Sequence, residues 1–372
     1  FLMKLMIGIK MLNFEKTYKL PFKFHIPNYT LDFLIKQSLK KRNFKFLKRS
    51  LFILFKQQKN LEVSRILPEH KKILWINVAA SSLGDSLMDL SSRVLIQDRV
   101  VDLFTDTKNA NLYKNDLVFN SIFTKKNQVN SFDYDLVIID SFGAKSINIK
   151  ANIASQVNYV GMFGFYNGPE VNRVLFSFHR LNQLLGYSKN EIEINSVAKC
   201  SLEVSRADKS VVLNSNLPSN YIAIALGGEW NYRTYNNWQC IIEELISDNK
   251  DLNIVLLGSR NATDVTKKIK NKYHHPNIID CVNQFTFNQT AEIINRAKIL
   301  LCCDGGLMHS ANSVNTPIVA LFAKLSSEMQ LTEAVTAFSM FDEYDVNNIT
   351  TEEVILNYKE LAKLVYTHHQ SE

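Results

Sequence analysis

Cysteine is scarce in this sequence, and its few copies are not spaced for a metal site or a disulfide framework. The 372 residues include five cysteines, at positions 200, 240, 281, 302 and 303. An odd number of cysteines in largely apolar surroundings favours a reducing cytoplasm over a disulfide-stapled secreted fold. Cys302 and Cys303 are adjacent within an apolar run, so we expect them to point to opposite faces of a strand. The sequence also has no His-Glu-x-x-His motif, no Cys-x-x-Cys motif and no carboxylate cluster, and we expect no metal site.

Glycine and proline are also few, at 12 and 7 residues, so long disordered tracts are not expected. The longest purely apolar run of the basic N-terminal segment, residues 51–55, is far shorter than the ~20 residues of a transmembrane helix. No apolar core leads to a small-residue cleavage site, so a signal peptide is not predicted. A chain of this length, with 46% hydrophobic residues, favours two domains with a core each.

Positive charge is concentrated at one end of the chain. The net charge is +7, but residues 1–72 carry 17 basic and 4 acidic residues, while the remainder has a balance of −6. The densest part, residues 36–59, interleaves basic with apolar residues. It predicts either a basic amphipathic surface for anionic lipid or an acidic acceptor, or a solvated helix that packs its apolar side on the protein. Nucleic acid is not an expected partner, because no nucleic-acid-binding motif accompanies the charge.

Apolar strands alternate with helical patterns from residue 72 onward. Because the strands read as nearly continuous apolar runs, we predict parallel sheets covered on both faces. Residues 186–218 are polar and irregular, which suggests a connection between two α/β halves. The predicted strands are 73–78, 100–104, 136–140, 157–162, 221–226, 252–257, 278–281, 297–303 and 318–322, and the clearest helices are 174–185 and 352–365.

The segment Asp304-Gly305-Gly306-Leu307-Met308-His309 lies between an apolar run and a helix-compatible stretch. Two glycines where a strand meets a helix leave backbone N–H groups open to an anion, and the helix dipole favours negative charge there. The pattern therefore predicts a phosphate site. The plainer interpretation makes Asp304 a cap or a turn-forming residue, the glycines a tight connection and His309 a helix histidine with ordinary partners.

A second turn, Ser81-Ser82-Leu83-Gly84-Asp85, follows the first predicted strand. It has a single glycine, so the Gly-x-Gly-x-x-Gly fingerprint of dinucleotide-binding folds is absent. Asp85 is predicted at or near a helix N-cap, at the edge of a parallel sheet where ligands bind. A plain capping role is the alternative.

Four segments of the sequence share motifs with a known family: 74–90, 133–140, 227–238, and 304–309 with Ala311 and Pro317 downstream. In order over residues 72–330, they resemble the ADP-heptose:lipopolysaccharide heptosyltransferases of glycosyltransferase family 9. The resemblance implies a GT-B fold, in which two Rossmann-like α/β domains with parallel sheets face a central cleft, here with a basic helical N-terminal extension. The domains expected are the extension 1–71, an acceptor domain 72–200, a linker 201–218, a nucleotide-sugar domain 219–345, and a last helix 346–372 as a candidate to pack back on the N-terminal domain.

The resemblance also implies roles for individual residues. Asp85 would be the general base, with Ser82 and Gly84 at the acceptor. The nucleotide sugar would be held by Gly227, Gly228, Arg233, Asp304, Gly305, Gly306 and His309. Two departures stand out: Gly305 replaces the family's threonine, and the Lys-x-Trp-Pro loop is altered. Arg233 is the best match for the family's lysine, with Asn231 and Arg260 as alternatives.

The predicted function is therefore an inverting transfer of heptose from ADP-heptose, without metal or other cofactor. The expected acceptor is the acidic inner core of lipooligosaccharide at the cytoplasmic face of the inner membrane, with residues 36–59 near an anionic membrane surface. Alternatives with the same fold are another donor sugar, a protein acceptor as in autotransporter heptosyltransferases, and a non-hydrolysing sugar-nucleotide epimerase. A catalytically silent nucleotide-sugar binding module is a further alternative.

Overall fold

Two parallel β-sheets organise the chain, one in each half of the sequence. The structure, a computed structural model, describes residues 20–22, 39–166 and 171–368. The chain divides into two compact units, Phe1–Ala198 and Lys199–Glu372. Within the described ranges, no helix has the length and apolarity that crossing a bilayer requires.

The first unit holds a five-stranded sheet of order β3-β2-β1-β4-β5. Its central strand is almost completely buried, since each side chain from Ile73 to Ile76 is at most 1% exposed. The strand order reverses between β1 and β4, where ligands commonly bind in parallel sheets. The strands are β1 Lys72–Asn77, β2 Val100–Thr105, β3 Phe119–Phe123, β4 Leu136–Ile139 and β5 Tyr159–Gly161. The helices are α1 Leu39–Phe55, α2 Leu83–Asp89, α3 Thr107–Ala110, α4 Ala144–Ile153, α5 Arg173–Leu184 and α6 Glu191–Asn195.

The second unit holds a six-stranded sheet of order β11-β10-β9-β6-β7-β8, which reverses between β6 and β9. Its strands are β6 Ile222–Ala225, β7 Ile254–Leu257, β8 Ile278–Asp280, β9 Leu300–Cys303, β10 Ile318–Ala323 and β11 Ala337–Asp342. Its helices are α7 Arg206–Leu213, α8 Trp238–Asp248, α9 Thr263–Lys272, α10 Phe287–Arg296, α11 Gly306–Val314 and α12 Thr351–His368. The last helix, α12, packs on β10, β11 and α8 of its own unit.

The core of the second unit lies on both faces of its sheet. Cys303 belongs to the apolar cluster that includes Trp238 and the α12 residue Leu361. Cys302 belongs to the cluster that includes Met308 of α11. The adjacent cysteines therefore point to opposite faces of β9, as the sequence predicts for neighbouring residues of a strand.

Two parts of the sequence interpretation differ from the structure. The polar stretch 186–218 contains α6 and α7 rather than irregular backbone, and both begin with side-chain caps, Asn190 and Ser205. The strands β3 and β11 were not predicted. Each lies at an edge of its sheet and leaves several side chains partly exposed, so neither produces the continuous apolar run of a central strand. The finer domain boundaries remain predictions.

Candidate active site

The turn after β1 places Asp85 inside a helix rather than at its cap. Ser82 is the N-cap of α2, and its Oγ accepts a hydrogen bond from the Asp85 backbone N–H at 3.1 Å. Asp85 Oδ2 in turn accepts from Ser82 N at 3.1 Å, from Ser82 Oγ at 2.9 Å and from Ser81 Oγ at 2.5 Å. The reciprocal pattern is a capping box, with Asp85 as the third helical residue. Three donors on one oxygen hold the carboxylate in a single orientation.

Asp140, directly after β4, fixes the loop that leads to this turn. Its Oδ2 accepts from the backbone N–H groups of Val78 and Ala79, both at 2.6 Å, and its Oδ1 accepts from Ser146 Oγ at 2.5 Å. Burial raises the pKa of Asp140 above its usual value, although these hydrogen bonds act in the opposite direction. Lys145 adds a bond from Nζ to Val78 O at 2.6 Å. The loops on either side of the strand-order reversal are thereby tied together.

An ion pair lies one helical turn beyond Asp85. Asp89 Oδ1 accepts from Arg173 Nε at 2.7 Å and from Nη2 at 2.5 Å, and it links α2 to the first residue of α5. Burial raises the pKa of Asp89 to about 6, an effect that Asp85 and Asp140 reinforce and Arg173 opposes. The Asp89–Arg173 pair was not predicted from the sequence. The available signal was an aspartate four residues after Asp85, on the same face of a mostly apolar helix.

In the second unit, Asp304 and Arg233 form an ion pair. Arg233 Nη1 lies 2.8 Å from Asp304 Oδ2, and the Asp304 side chain is only 2% exposed. Asp304 follows β9, and Arg233 ends the short 3-10 helix Asn231–Arg233 after β6, so the two meet at the strand-order reversal. Arg233, rather than Asn231 or Arg260, is the residue paired with Asp304 among the described residues. The Asp304 side chain does not cap α11, so a capping role for this residue is wrong.

The N-terminus of α11 lies next to this pair. Its N-cap is Gly305, and no side chain caps the helix. The first backbone N–H groups of a helix have no intrahelical acceptor, so such an end binds anions readily. A Cβ added at Gly305 would meet no atom within 4 Å, whereas one at Gly306 would touch the Phe287 ring at 3.6 Å. His309, in the first turns of the helix, is buried.

Gly227 and Gly228 shape the loop that carries Arg233. Gly227 has φ +81°, the left-handed region that favours glycine. A Cβ at Gly228 would lie 2.6 Å from Arg233 O, so the loop can fold this tightly only with glycine there. Asn261 Nδ2 donates to Gly228 O at 2.8 Å and braces the loop from the segment after β7. Contact of either glycine with a nucleotide remains a prediction.

The sequence analysis also missed Lys324, which follows β10. Its Nζ lies 3.7 Å from the centroid of the Tyr232 ring, and Tyr232 OH is 3.5 Å from Arg233 Nη2. The signal was a basic residue at the carboxyl end of an apolar strand. Over the described ranges, no group of three or more His, Cys, Asp or Glu side chains is arranged to hold a metal ion.

Comparison with known proteins gives a family match over part of the chain. Residues 167–348, just under half of it, match the model of glycosyltransferase family 9 (heptosyltransferase). That segment includes the Arg233–Asp304 pair and α11, and it begins after Asp85. A search of the curated proteins returns no match.

Solved structures match over more of the chain. A glycosyltransferase family 9 protein from Veillonella parvula DSM 2008 superposes with a TM-score of 0.66 at 13% identity, covering 80% of this chain and 98% of its own. The E. coli ADP-heptose lps heptosyltransferase II superposes with a TM-score of 0.61 at 17% identity, covering 80% of this chain and 99% of its own. The E. coli heptosyltransferase WaaC with ADP superposes with a TM-score of 0.58 at 16% identity, covering 78% of this chain and 98% of its own. Likeness at such low identity concerns the fold, and the predicted α/β GT-B class is confirmed.

Proposed function

We propose that this chain is a glycosyltransferase of family 9 that transfers heptose from ADP-heptose to the inner core of lipopolysaccharide or lipooligosaccharide, and the match of residues 167–348 supports the proposal. The observation that carries the proposal is the start of α11, a helix N-terminus without a side-chain cap beside the Arg233–Asp304 pair. This arrangement suits a nucleoside diphosphate, because backbone N–H groups and a guanidinium both bind phosphate oxygens.

The donor half of the reaction belongs to the second unit. As the bond between the sugar and the diphosphate breaks, its electron pair moves to a phosphate oxygen, where negative charge grows. The N–H groups at Gly305 and Gly306 and the α11 dipole stabilise that charge. Asp304 orients the Arg233 guanidinium toward it, and His309 contributes to the same loop. Gly227 and Gly228 shape the loop that carries Arg233.

The acceptor half belongs to the first unit. The Asp85 carboxylate takes the proton of the acceptor hydroxyl while that oxygen attacks the anomeric carbon, and the diphosphate leaves from the opposite face. A single displacement of this kind inverts the configuration. Ser81 and Ser82 position the carboxylate, and Ser82 and Gly84 border the acceptor. The Asp89–Arg173 pair and Asp140 hold the surrounding loops in place.

The basic segment 36–59 is proposed to meet an anionic membrane at the cytoplasmic face of the inner membrane. Its helix α1 contains no acidic residue and exposes apolar side chains, which are Phe44, Leu47, Leu51, Leu54 and Phe55. Basic helices with an exposed apolar face bind anionic lipid surfaces. The acidic core acceptor carries the same sign of charge as such lipids.

The base assignment is tested with Asp85→Asn and Asp85→Ala in a purified transfer assay. Loss of a positioned general base typically costs 10²–10⁴-fold in rate, so we expect transfer to fall by at least about 100-fold while the dissociation constant for ADP stays unchanged. Asp106→Asn is the matched control, because Asp106 caps the short helix α3 and has no place in the proposed reaction. Turnover of either Asp85 variant within a few-fold of the wild type would remove Asp85 from the role.

The donor is tested by a thermal-shift screen with ADP-, UDP- and GDP-linked sugars. A ligand that binds only the folded protein raises its midpoint of unfolding, so the ADP-linked heptose should give the largest rise. A larger rise with a UDP- or GDP-linked sugar would replace the proposed donor. Consumption of the donor without added acceptor, yielding an epimerised nucleotide sugar, would favour the epimerase instead.

A further inference from the structure

Lys324 has a backbone conformation that lysine rarely adopts. Its φ is +66°, and the hydrogen bond from Leu325 N to Ala323 O at 2.8 Å closes a three-residue turn around it. Turns of this kind with a positive central φ are rare and strained. Among the described non-glycine residues with positive φ, the others are Gln57, Asn216, Asn283 and Asn315, all uncharged and mostly asparagine, which tolerates this region. Strain of this kind concentrates at functional sites, where the surrounding structure holds it.

The strained turn directs the Lys324 side chain to the edge of the sheet where Asp304 and Arg233 meet. Lys324 follows β10, which pairs with β9 in parallel, so both strands end at this edge. Its ammonium lies over the face of the Tyr232 ring at 3.7 Å. Tyr232 itself contacts Arg233 and stacks against the half-exposed Trp230, at 6.4 Å between ring centroids. A cation held by a ring face is bound weakly enough to exchange that contact for a stronger one.

The charge balance of this cluster shows what Lys324 adds. Arg233 is paired with Asp304, so together these two side chains contribute no net charge. Lys324 has no carboxylate partner within 4 Å among the described residues. The carboxylate of Asp342, whose backbone O accepts from Lys324 N, is occupied by N–H groups of its own turn, from Tyr344 at 2.7 Å and Asp345 at 2.8 Å. Of the charged side chains Arg233, Asp304 and Lys324, Lys324 is therefore the one that forms no ion pair among the described residues.

We propose that Lys324 is a phosphate-binding cation of the nucleoside diphosphate site, poised on the Tyr232 ring and moving to a phosphate oxygen when the diphosphate binds. The inference rests on the proposed function, since it needs a diphosphate-bearing donor. Arg233 remains the guanidinium that Asp304 orients toward the diphosphate, and Lys324 adds a positive charge without an ion-pair partner to stabilise the leaving group. The turn strain is retained because relaxed backbone would direct the side chain elsewhere.

Lys324→Gly separates the two effects, because glycine accepts a positive φ and removes the ammonium. We expect the midpoint of thermal unfolding without nucleotide to stay the same or rise, since the strain is relieved. The dissociation constant for ADP, measured by titration calorimetry, should rise about tenfold, as for the loss of one charge-assisted hydrogen bond. AMP, with one phosphate fewer, should be affected less. Lys324→Arg, which keeps the charge, should retain ADP binding within a few-fold.

Asn283→Gly is the matched control, because it places glycine at another position of the same unit with a positive φ. It should leave the ADP dissociation constant unchanged. An ADP dissociation constant for Lys324→Gly within twofold of the wild type would overturn the role of Lys324 and leave the proposed function standing. No ADP, UDP or GDP binding by the wild-type protein would overturn both. A folded Lys324→Arg variant as weak as Lys324→Gly would also overturn the assignment, because the charge would then not be what matters.

Discussion

At the scale of single residues, Gly305 differs from the other glycines of the candidate site. Its φ of 168° is extended backbone that any residue adopts, and a Cβ there would meet nothing within 4 Å. Gly228 is the contrast, since a Cβ there would lie 2.6 Å from Arg233 O. The first glycine leaves space for a ligand, whereas the second is required by the path of the chain.

Gly305→Thr should therefore fold normally and bind ADP at least as tightly as the wild type. The added hydroxyl can donate to a phosphate oxygen, and a neutral hydrogen bond of ~1 kcal/mol would tighten binding by up to about fivefold. Calorimetric titration with ADP and a thermal melt measure both effects. Gly228→Thr is the control and should lower the unfolding midpoint and weaken ADP binding. Equal loss of stability in the two variants would contradict this distinction.

The pairing partners of the site residues could not be read from the sequence. The Asp304–Gly305–Gly306 turn and the position of Asp85 after β1 were predictable, because glycine and apolar runs determine local backbone. Arg233 and Asp304 are 71 positions apart, and Arg173 and Asp89 are 84 apart. Such pairs depend on how strands are ordered in a sheet, which local patterns do not contain. The sequence therefore indicated a basic residue at position 233 but not the carboxylate that pairs with it.

At the scale of elements, α1 packs one side on the first unit and exposes the other. Ile53 is 2% exposed within an apolar cluster of the first unit. The ring of Phe46 packs on that of Phe165, with 4.6 Å between the ring centroids. Arg49 Nη1 donates to Phe165 O at 2.8 Å. The other side of the helix leaves Leu51 and Phe55 exposed, at 56% and 80%. One face thus anchors the helix while the other stays available.

Removing the exposed face of α1 should weaken membrane binding without unfolding the unit. We expect wild-type protein to co-sediment with vesicles containing anionic lipid far more than with neutral vesicles, and added salt to reduce binding. Leu51→Ser with Phe55→Ser should reduce binding to anionic vesicles by about tenfold, as expected from the apolar area lost. Ile192→Ser with Leu213→Ser is the control, since both residues are exposed on other helices. Equal binding of the wild type to both vesicle types would refute the membrane role.

Element prediction succeeded for the buried strands and for the edge strands β5 and β8, but it missed the edge strands β3 and β11. The central strands β1, β4, β6, β9 and β10 coincide with apolar runs because helices cover both of their faces. Most side chains of the edge strand β11 are partly or fully exposed, and Phe341 is 51% exposed. The sequence of such a strand shows neither a clear alternation of apolar and polar residues nor a continuous apolar run. Only its hydrogen-bonded pairing with the neighbouring strand β10 identifies β11 as a strand.

At the scale of the whole molecule, both units share one design. Each has a parallel sheet whose strand order reverses. In each, an aspartate directly follows a strand beside that reversal, Asp140 after β4 and Asp304 after β9. The positive charge of residues 1–72 contrasts with the balance of −6 in the rest. The net positive charge is therefore confined to one region of the chain, and an anionic surface would attract that region rather than the molecule as a whole.

All five cysteines lie in the second unit, and only Cys240 is exposed. Burial raises the pKa of Cys281 to about 11 and that of Cys303 to about 12, which keeps both as unreactive thiols. A thiol reagent at pH 8 should therefore label one cysteine quickly in the native protein and five in denaturant, and Cys240→Ser should abolish the fast phase. ADP should slow labelling of the buried thiols further, because it stabilises the unit that contains them. Two or more fast thiols would contradict the burial described.

The confinement of every thiol to one unit also makes the molecule convenient for spectroscopy. Cys240 is a ready attachment point for one fluorophore, and the first unit contributes no competing sulfur. A single surface cysteine introduced there would complete a donor–acceptor dye pair without any cysteine having to be removed. Energy transfer between the dyes would then measure the distance between the two labelled positions in single molecules, with and without donor and acceptor substrates.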